Sequence, residues 1–139
     1  MAKVFIVHRL GAYSTNPRKE ISKGSKWYFY DNGIRNAIIN DFRLPGLRND
    51  TGALWENCLI AERIKRNAYL GHNRQYYFWK NYNQQEVDFI ESYEGRITAH
   101  EFKYSPDKKM KVPPAFATAY PDAVFTRIAR DNYLEWITE

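Results

Sequence analysis

Asp88 is a lone acid inside an apolar strand pattern, EVDFIES, and Glu101 and Lys103 stand one residue apart in the strand pattern that follows, RITAHEFKYS. Side chains alternate along a strand, so Glu101 and Lys103 are expected to point the same way, with Ile97 and Ala99. The same alternation puts Asp88 with Ile90, and Val87 with Phe89. A hairpin turning at about 92–96 would bring Asp88 near the Glu101–Lys103 pair. Two carboxylates and a lysine on one sheet face are unfavourable unless they pair or bind something. Two close carboxylates repel, which raises the pKa of one of them unless a cation compensates. A divalent metal resolves that conflict, and Mg²⁺ accepts a small number of carboxylates plus waters. Such a metal acidifies a bound water and stabilises charge on a phosphoryl oxygen. The lysine would orient that water, help deprotonate it, or offset charge in the transition state. A plain Glu101–Lys103 surface pair, with Asp88 at a strand end, is the competing reading of the same spacing.

Glu56 is the third acid of interest. It lies about 40° around a helix from Ile60, at the margin of an apolar arc, where it could lean over the sheet toward Asp88 and Glu101. A solvated helix flank is the alternative. Lys108, Lys109 and Lys111 form a basic cluster just beyond the Glu101 strand, and Arg35 lies near a helix start. Each reads either as a phosphate contact or as solvated surface. His8, His72 and His100 lack metal-ligand spacing, and His100 is expected to point away from Glu101. No Ser–His signature or nucleophile elbow is present. No G-x-x-x-x-G-K-[ST] exists, so this chain should not bind ATP by itself.

The elements that must position these residues can be read in order. KVFIV (3–7) and KWYFYD (26–31) are strand patterns, separated by a polar loop broken at Pro17 and Gly24. NGIRNAIINDF (32–42) has helical periodicity after a possible cap at Asp31 or Asn32. The longest periodic stretch is 52–70, with Leu54, Cys58, Ala61, Ile64 and Ala68 as its apolar arc and Gly71 as a C′ glycine. Strands over 75–80, 86–92 and 96–105 have short connections, which predicts an antiparallel three-strand meander. A short helix with Pro113 or Pro114 in its first turn, a strand over 123–129 and a terminal helical turn or short strand complete the chain. The fold class expected is α/β, a mixed sheet with the meander flanked by helices.

Hydrophobic residues make up 44% and charged residues 27% of the 139 residues, which excludes a disordered composition. The net charge of +5 permits attraction to nucleic acid without demanding it. Aromatic residues, at 17%, suit a strand-rich core or base stacking. The single cysteine, Cys58, cannot form an internal disulfide. With no signal peptide and no apolar run of membrane-spanning length, a cytoplasmic protein is expected. A strand pattern starts within two residues of Met1, so the chain is expected to be a domain cut from a longer protein.

The order acidic helix, Asp, Glu-x-Lys resembles the PD-(D/E)xK nuclease motif, here Glu56, Asp88 and Glu101-Phe102-Lys103. The Pro of that motif is absent, with Glu86-Val87 before Asp88. More specifically, KWYFYDNGIRNAI, GALWENCLIAERI, YYFWKN…QEVDFI…HEFKYSP and AYPDAVFTRIARDNYLEWI resemble, in order and over about residues 3 to 137, the C-terminal domain of a family of prokaryotic AAA+ family ATPases. That domain is commonly described as of unknown function. The resemblance implies one restriction-endonuclease-like domain over 1–139, normally following an ATPase domain. It implies Mg²⁺ or Mn²⁺ held by Asp88, Glu101 and the Phe102 carbonyl. Lys103 would assist the attacking water and Glu56 would help bind metal or water. The implied partners are DNA and the ATPase domain of the same full-length protein. Two functions follow as expectations: metal-dependent hydrolysis of DNA phosphodiesters, or a non-catalytic module of that fold that binds DNA or protein. A purely structural or oligomerisation role is the third.

Overall fold

Residues 7–29 and 51–138 are described by a computed structural model. The helix expected over 32–42, with Arg35, lies outside them, as does most of the strand expected over 3–7. The elements are β1 (Val7–Ala12), β2 (Ser25–Phe29), α1 (Thr51–Tyr69), β3 (Gln75–Lys80), β4 (Glu86–Tyr93), β5 (Arg96–Phe102), α2 (Pro114–Ala119), β6 (Val124–Ile128) and α3 (Tyr133–Thr138).

The strands form one six-stranded sheet in the order β2-β1-β3-β4-β5-β6. The consecutive strands β3, β4 and β5 pair antiparallel, as their short turns dictate. The sheet is nevertheless not a three-strand meander. β1 joins β3 in parallel, through Gly11 opposite Tyr77, and β6 joins β5 in parallel. The mixed α/β class holds, and the sheet is twice as wide as the meander alone.

Two apolar clusters lie on the two faces of this sheet. On one, Leu59 and Ile60 of α1 meet Leu10, Tyr28, Phe78, Phe89, Phe102 and Ile128, with Trp136 and Ile137 of α3 packed alongside. On the other, Phe116 of α2 meets Trp79, Val87, Ile90 and Ala99. Fully burying one side chain such as Phe116 contributes roughly 1.5–3 kcal/mol. The result is three layers, with α1 and α3 on one side and α2 on the other.

Several local signals act where they were expected. Pro114 opens α2 directly after Pro113. Gly71 ends α1 at φ +72, with its N–H bonded to Ala68 O and the His72 N–H bonded to Asn67 O. That pair of bonds is a Schellman cap. The apolar arc of α1 differs from expectation. Its buried residues are Asn57, Leu59, Ile60, Ala61 and Asn67, while Ala68 is exposed. The helix turns polar groups inward because the sheet bonds them. Asn57 pairs with both backbone groups of Phe29, at 2.8 and 2.9 Å, and Asn67 donates to Tyr76 Oη and to Glu91. β5 stops at Phe102, short of Ser105, because Arg130 and Arg127 take the carbonyls of Tyr104 and Pro106.

Candidate functional site

Strand alternation breaks at Asp88. Tyr77 lies opposite Ile90 and Trp79 opposite Val87, so Phe78 alone faces both Asp88 and Phe89. Two residues against one is a β-bulge, and it rotates the side chains that follow. Val87 and Ile90 therefore share the α2 face, while Phe89 lies on the α1 face with Phe78. The expected pairing of Asp88 with Ile90, and of Val87 with Phe89, is thereby corrected. The Asp88 carboxylate accepts a 3.0 Å hydrogen bond from the Phe102 N–H and acts electrostatically on Glu56 and Tyr28.

Glu56 is turned toward the sheet. Its Oε1 accepts a 2.7 Å hydrogen bond from Tyr28 Oη. Burial and then the Asp88 charge push the Glu56 carboxyl above its ordinary range, against the Tyr28 bond and the charge of Lys26. Burial also raises Asp88, opposed by the Phe102 N–H and Lys26; Glu101 adds to the rise and Lys103 opposes it. Tyr28, pressed by burial and by both acids, is held firmly in its phenol form. Lys26, two residues along β2 and paired with Glu86, is the cation acting on both Glu56 and Asp88.

Glu101 and Lys103 border this group. Glu101 pairs with Arg127 in the regular β5–β6 ladder, between His100 and Phe102. Phe102 belongs to the α1-side cluster and Ala99 to the other, so alternation directs Glu101 to the α2 side of the sheet. Its Oε1 pairs with Lys103 Nζ at 3.0 Å and its Oε2 accepts the Lys111 N–H at 3.1 Å. The basic loop thus folds back beside Glu101, with the Lys108, Lys109 and Lys111 side chains exposed. Trp55 Nε1 donates to Lys103 O at 3.1 Å, tying the second turn of α1 to the residue after β5. The chain brings together Tyr28, Glu56 and Asp88, with Glu101 and Lys103 near enough to act on Asp88. Among the described residues, no three His, Cys, Asp or Glu side chains are grouped so as to hold a metal ion.

Residues 51–132 match a family model described as a domain of unknown function, DUF4143. The chain belongs to that family. No curated protein and no solved structure matches. In this DUF4143 chain the matched range contains Glu56, Asp88, Glu101 and Lys103, whereas Lys26 and Tyr28 come from β2, outside it. No helix among the described residues is long and apolar enough to cross a membrane.

Two further polar centres escaped the sequence reading. Glu91 is 2% exposed and accepts from Arg63 Nε at 3.0 Å, Asn67 Nδ2 at 2.8 Å and pairs with His100 Nε2 at 3.0 Å. Burial alone would raise its carboxyl, yet the His100 and Arg63 bonds outweigh that and hold it at about 2. The available signal was period two: Glu91 follows Phe89, and His100 precedes Phe102, each pair on one strand face. Glu20, 3% exposed, binds Trp79 Nε1, Tyr120 Oη and the Thr15 and Asn16 N–H groups. It sits in the loop after β1, where no periodicity marks a buried residue.

Proposed function

We propose that this chain is a nuclease-like domain of restriction-endonuclease-like character, working with an AAA+ family ATPase domain of the same full-length protein. Its reaction is hydrolysis of DNA phosphodiesters. The observation that carries this reading is the buried Tyr28 with the half-buried Glu56 and Asp88, beside the Glu101–Lys103 pair at the end of β5. Half-burying two interacting carboxylates side by side is unfavourable, and a site that binds a cation or moves a proton accounts for them.

The donor set fits Mg²⁺ or Mn²⁺ in part. Asp88 would hold it, with the Phe102 carbonyl as a further oxygen and waters completing an octahedral shell, whereas Glu101, directed to the α2 side of the sheet, would join only by turning round the end of β5. When bound, the ion would supply charge stabilisation at the phosphoryl oxygens. The chain's own residues carry the remaining roles. Lys103 orients the attacking water. The Glu56 carboxylate, fixed by Tyr28 Oη and raised toward neutrality by burial, accepts the water's proton. Lys108, Lys109 and Lys111 contact strand phosphates beside the reacting one, a role also expected of Arg35.

The second reading, a non-catalytic DNA- or protein-binding module, draws on a specific observation. Both oxygens of Glu101 are engaged, one by Lys103 and one by the Lys111 N–H. Assays of branched, single-stranded and duplex DNA with Mg²⁺ or Mn²⁺, in wild type and in Asp88→Ala and Glu101→Ala, separate the two. Cleavage lost in both variants supports the first reading. Salt-sensitive binding without cleavage, surviving Glu101→Ala, supports the second.

A further inference from the structure

A pocket of about 480 Å³ opens over the Glu91 centre, between the C-terminal half of α1, the loop leading to β3, and α3. Its wall carries Arg63, Arg66, His72 and Arg74, with Trp136 and Thr126 opposite. We propose that this pocket binds a phosphoryl group or a closely similar oxyanion, at a site distinct from the acidic group around Asp88.

Charge is the first ground. Three guanidiniums and one imidazole line or reach the space. The carboxylates near it are Glu91 beneath and the exposed Glu135 at the rim. Glu91 is committed to Arg63, Asn67 and His100, and its distance to Arg74 Nε is 3.9 Å, beyond a hydrogen bond. Unsatisfied donors are the second ground. Among the described residues, the buried Arg74 Nε and Trp136 Nε1 have no hydrogen-bond partner. A buried donor left unpaired is costly, and a small turn of the Arg74 side chain, itself 28% exposed, would bring its Nε to an anion in the pocket. Preorganisation is the third. The Arg63 guanidinium lies 4.8 Å over the Trp136 ring and donates to the Trp136 carbonyl, and Arg74 lies 5.3 Å over Tyr93. Arg63 spends Nε and Nη2 on Glu91 and Nη1 on Trp136, so it contributes charge, whereas Arg74, held over Tyr93, presents its terminal nitrogens with little further loss of freedom. The volume is that of a small-molecule site and exceeds what one inorganic phosphate fills.

Arg63 is seven residues from Glu56 along α1, about 10 Å by helical rise, so the pocket does not depend on the acidic group for its chemistry. Its phosphoryl group could belong to a free compound or to a nucleic acid strand, and two probes distinguish these sources. Calorimetric titration of the 139-residue chain with inorganic pyrophosphate tests the first. Titration with a short single-stranded oligonucleotide lacking terminal phosphates tests the second. Binding of at least one probe is expected, weakened roughly tenfold by Arg74→Gln and less by His72→Ala. His72 is exposed, so its variant leaves the buried network intact if Arg74→Gln fails to fold. Arg74-dependent binding of pyrophosphate alone assigns a free phosphoryl compound, and of the oligonucleotide alone a strand. Absence of binding by both probes overturns the proposal. So does binding that folded Arg74→Gln and His72→Ala leave at wild-type strength.

Discussion

Tyr28 Oη donates a 2.7 Å hydrogen bond to Glu56 Oε1, linking the second strand to the long helix over the sheet face where Asp88 also lies. Tyr28 is 8% exposed, so the bond is largely shielded from water. Tyr28→Phe keeps the ring in the apolar cluster and removes only the donor. The expected loss is about 1–2 kcal/mol of unfolding free energy in urea denaturation. The Glu56 carboxyl should also titrate higher in the variant, because the Tyr28 bond favours its charged form. Carboxyl NMR titration reads that shift.

Glu56 and Asp88 give stability an unusual pH slope. Both have folded-state pKa values raised above the ordinary ones. Between the unfolded and folded values the native chain binds more protons than the unfolded chain, so their contribution falls as pH rises through the folded values. It is present in full below the unfolded value. Glu56→Gln removes one charge and retains an acceptor for Tyr28. The variant should melt higher than wild type at pH 7, with the gap narrowing toward pH 4. Thermal unfolding across that range is the check.

Glu91 has the opposite sign. Its folded value, about 2, lies below the ordinary 4.5. Its stabilisation is therefore present above 4.5 and is lost as pH falls through about 2. Glu91→Gln leaves the half-buried Arg63 beside a neutral group, and the expected loss is about 3 kcal/mol near neutral pH. Denaturant titrations at pH 7 and pH 3 should show a smaller difference between variant and wild type at the lower pH.

Gly71 tests the helix end alone. A Cβ there would meet nothing within 4 Å, so substitution acts only through the backbone at φ +72. Gly71→Ala should lose about 1–2 kcal/mol, read as a lower denaturation midpoint with an unchanged slope.

The same contrast explains which parts of the molecule were legible in the sequence. Gly71 and Pro114 act through their own backbones, so their roles are local and readable. The β3–β4–β5 pairing follows from turns too short for any other connection. The buried side of α1 was obscured because Asn57 and Asn67 are buried by partners on distant strands, which hydrophobic periodicity cannot register. The Asp88 face was misread because the bulge opposite Phe78 depends on how β4 pairs with β3. Tyr28 is one aromatic of the KWYFYD strand pattern, and only the crossing of α1 over β2 reveals its hydroxyl beside Glu56. Glu56, Asp88, Glu101 and Lys103 were candidates through the motif resemblance more than through their spacing, and the side of the sheet that Glu101 occupies required the strand register.

The most direct measurement is metal-dependent DNA cleavage under single-turnover conditions by wild type, Asp88→Asn and Lys103→Ala. The account predicts cleavage that requires Mg²⁺ or Mn²⁺ and falls at least about 100-fold in each variant, while both variants retain the wild-type circular dichroism spectrum. Cleavage at equal rates in all three proteins, or none by wild type on branched, single-stranded and duplex DNA, would contradict it.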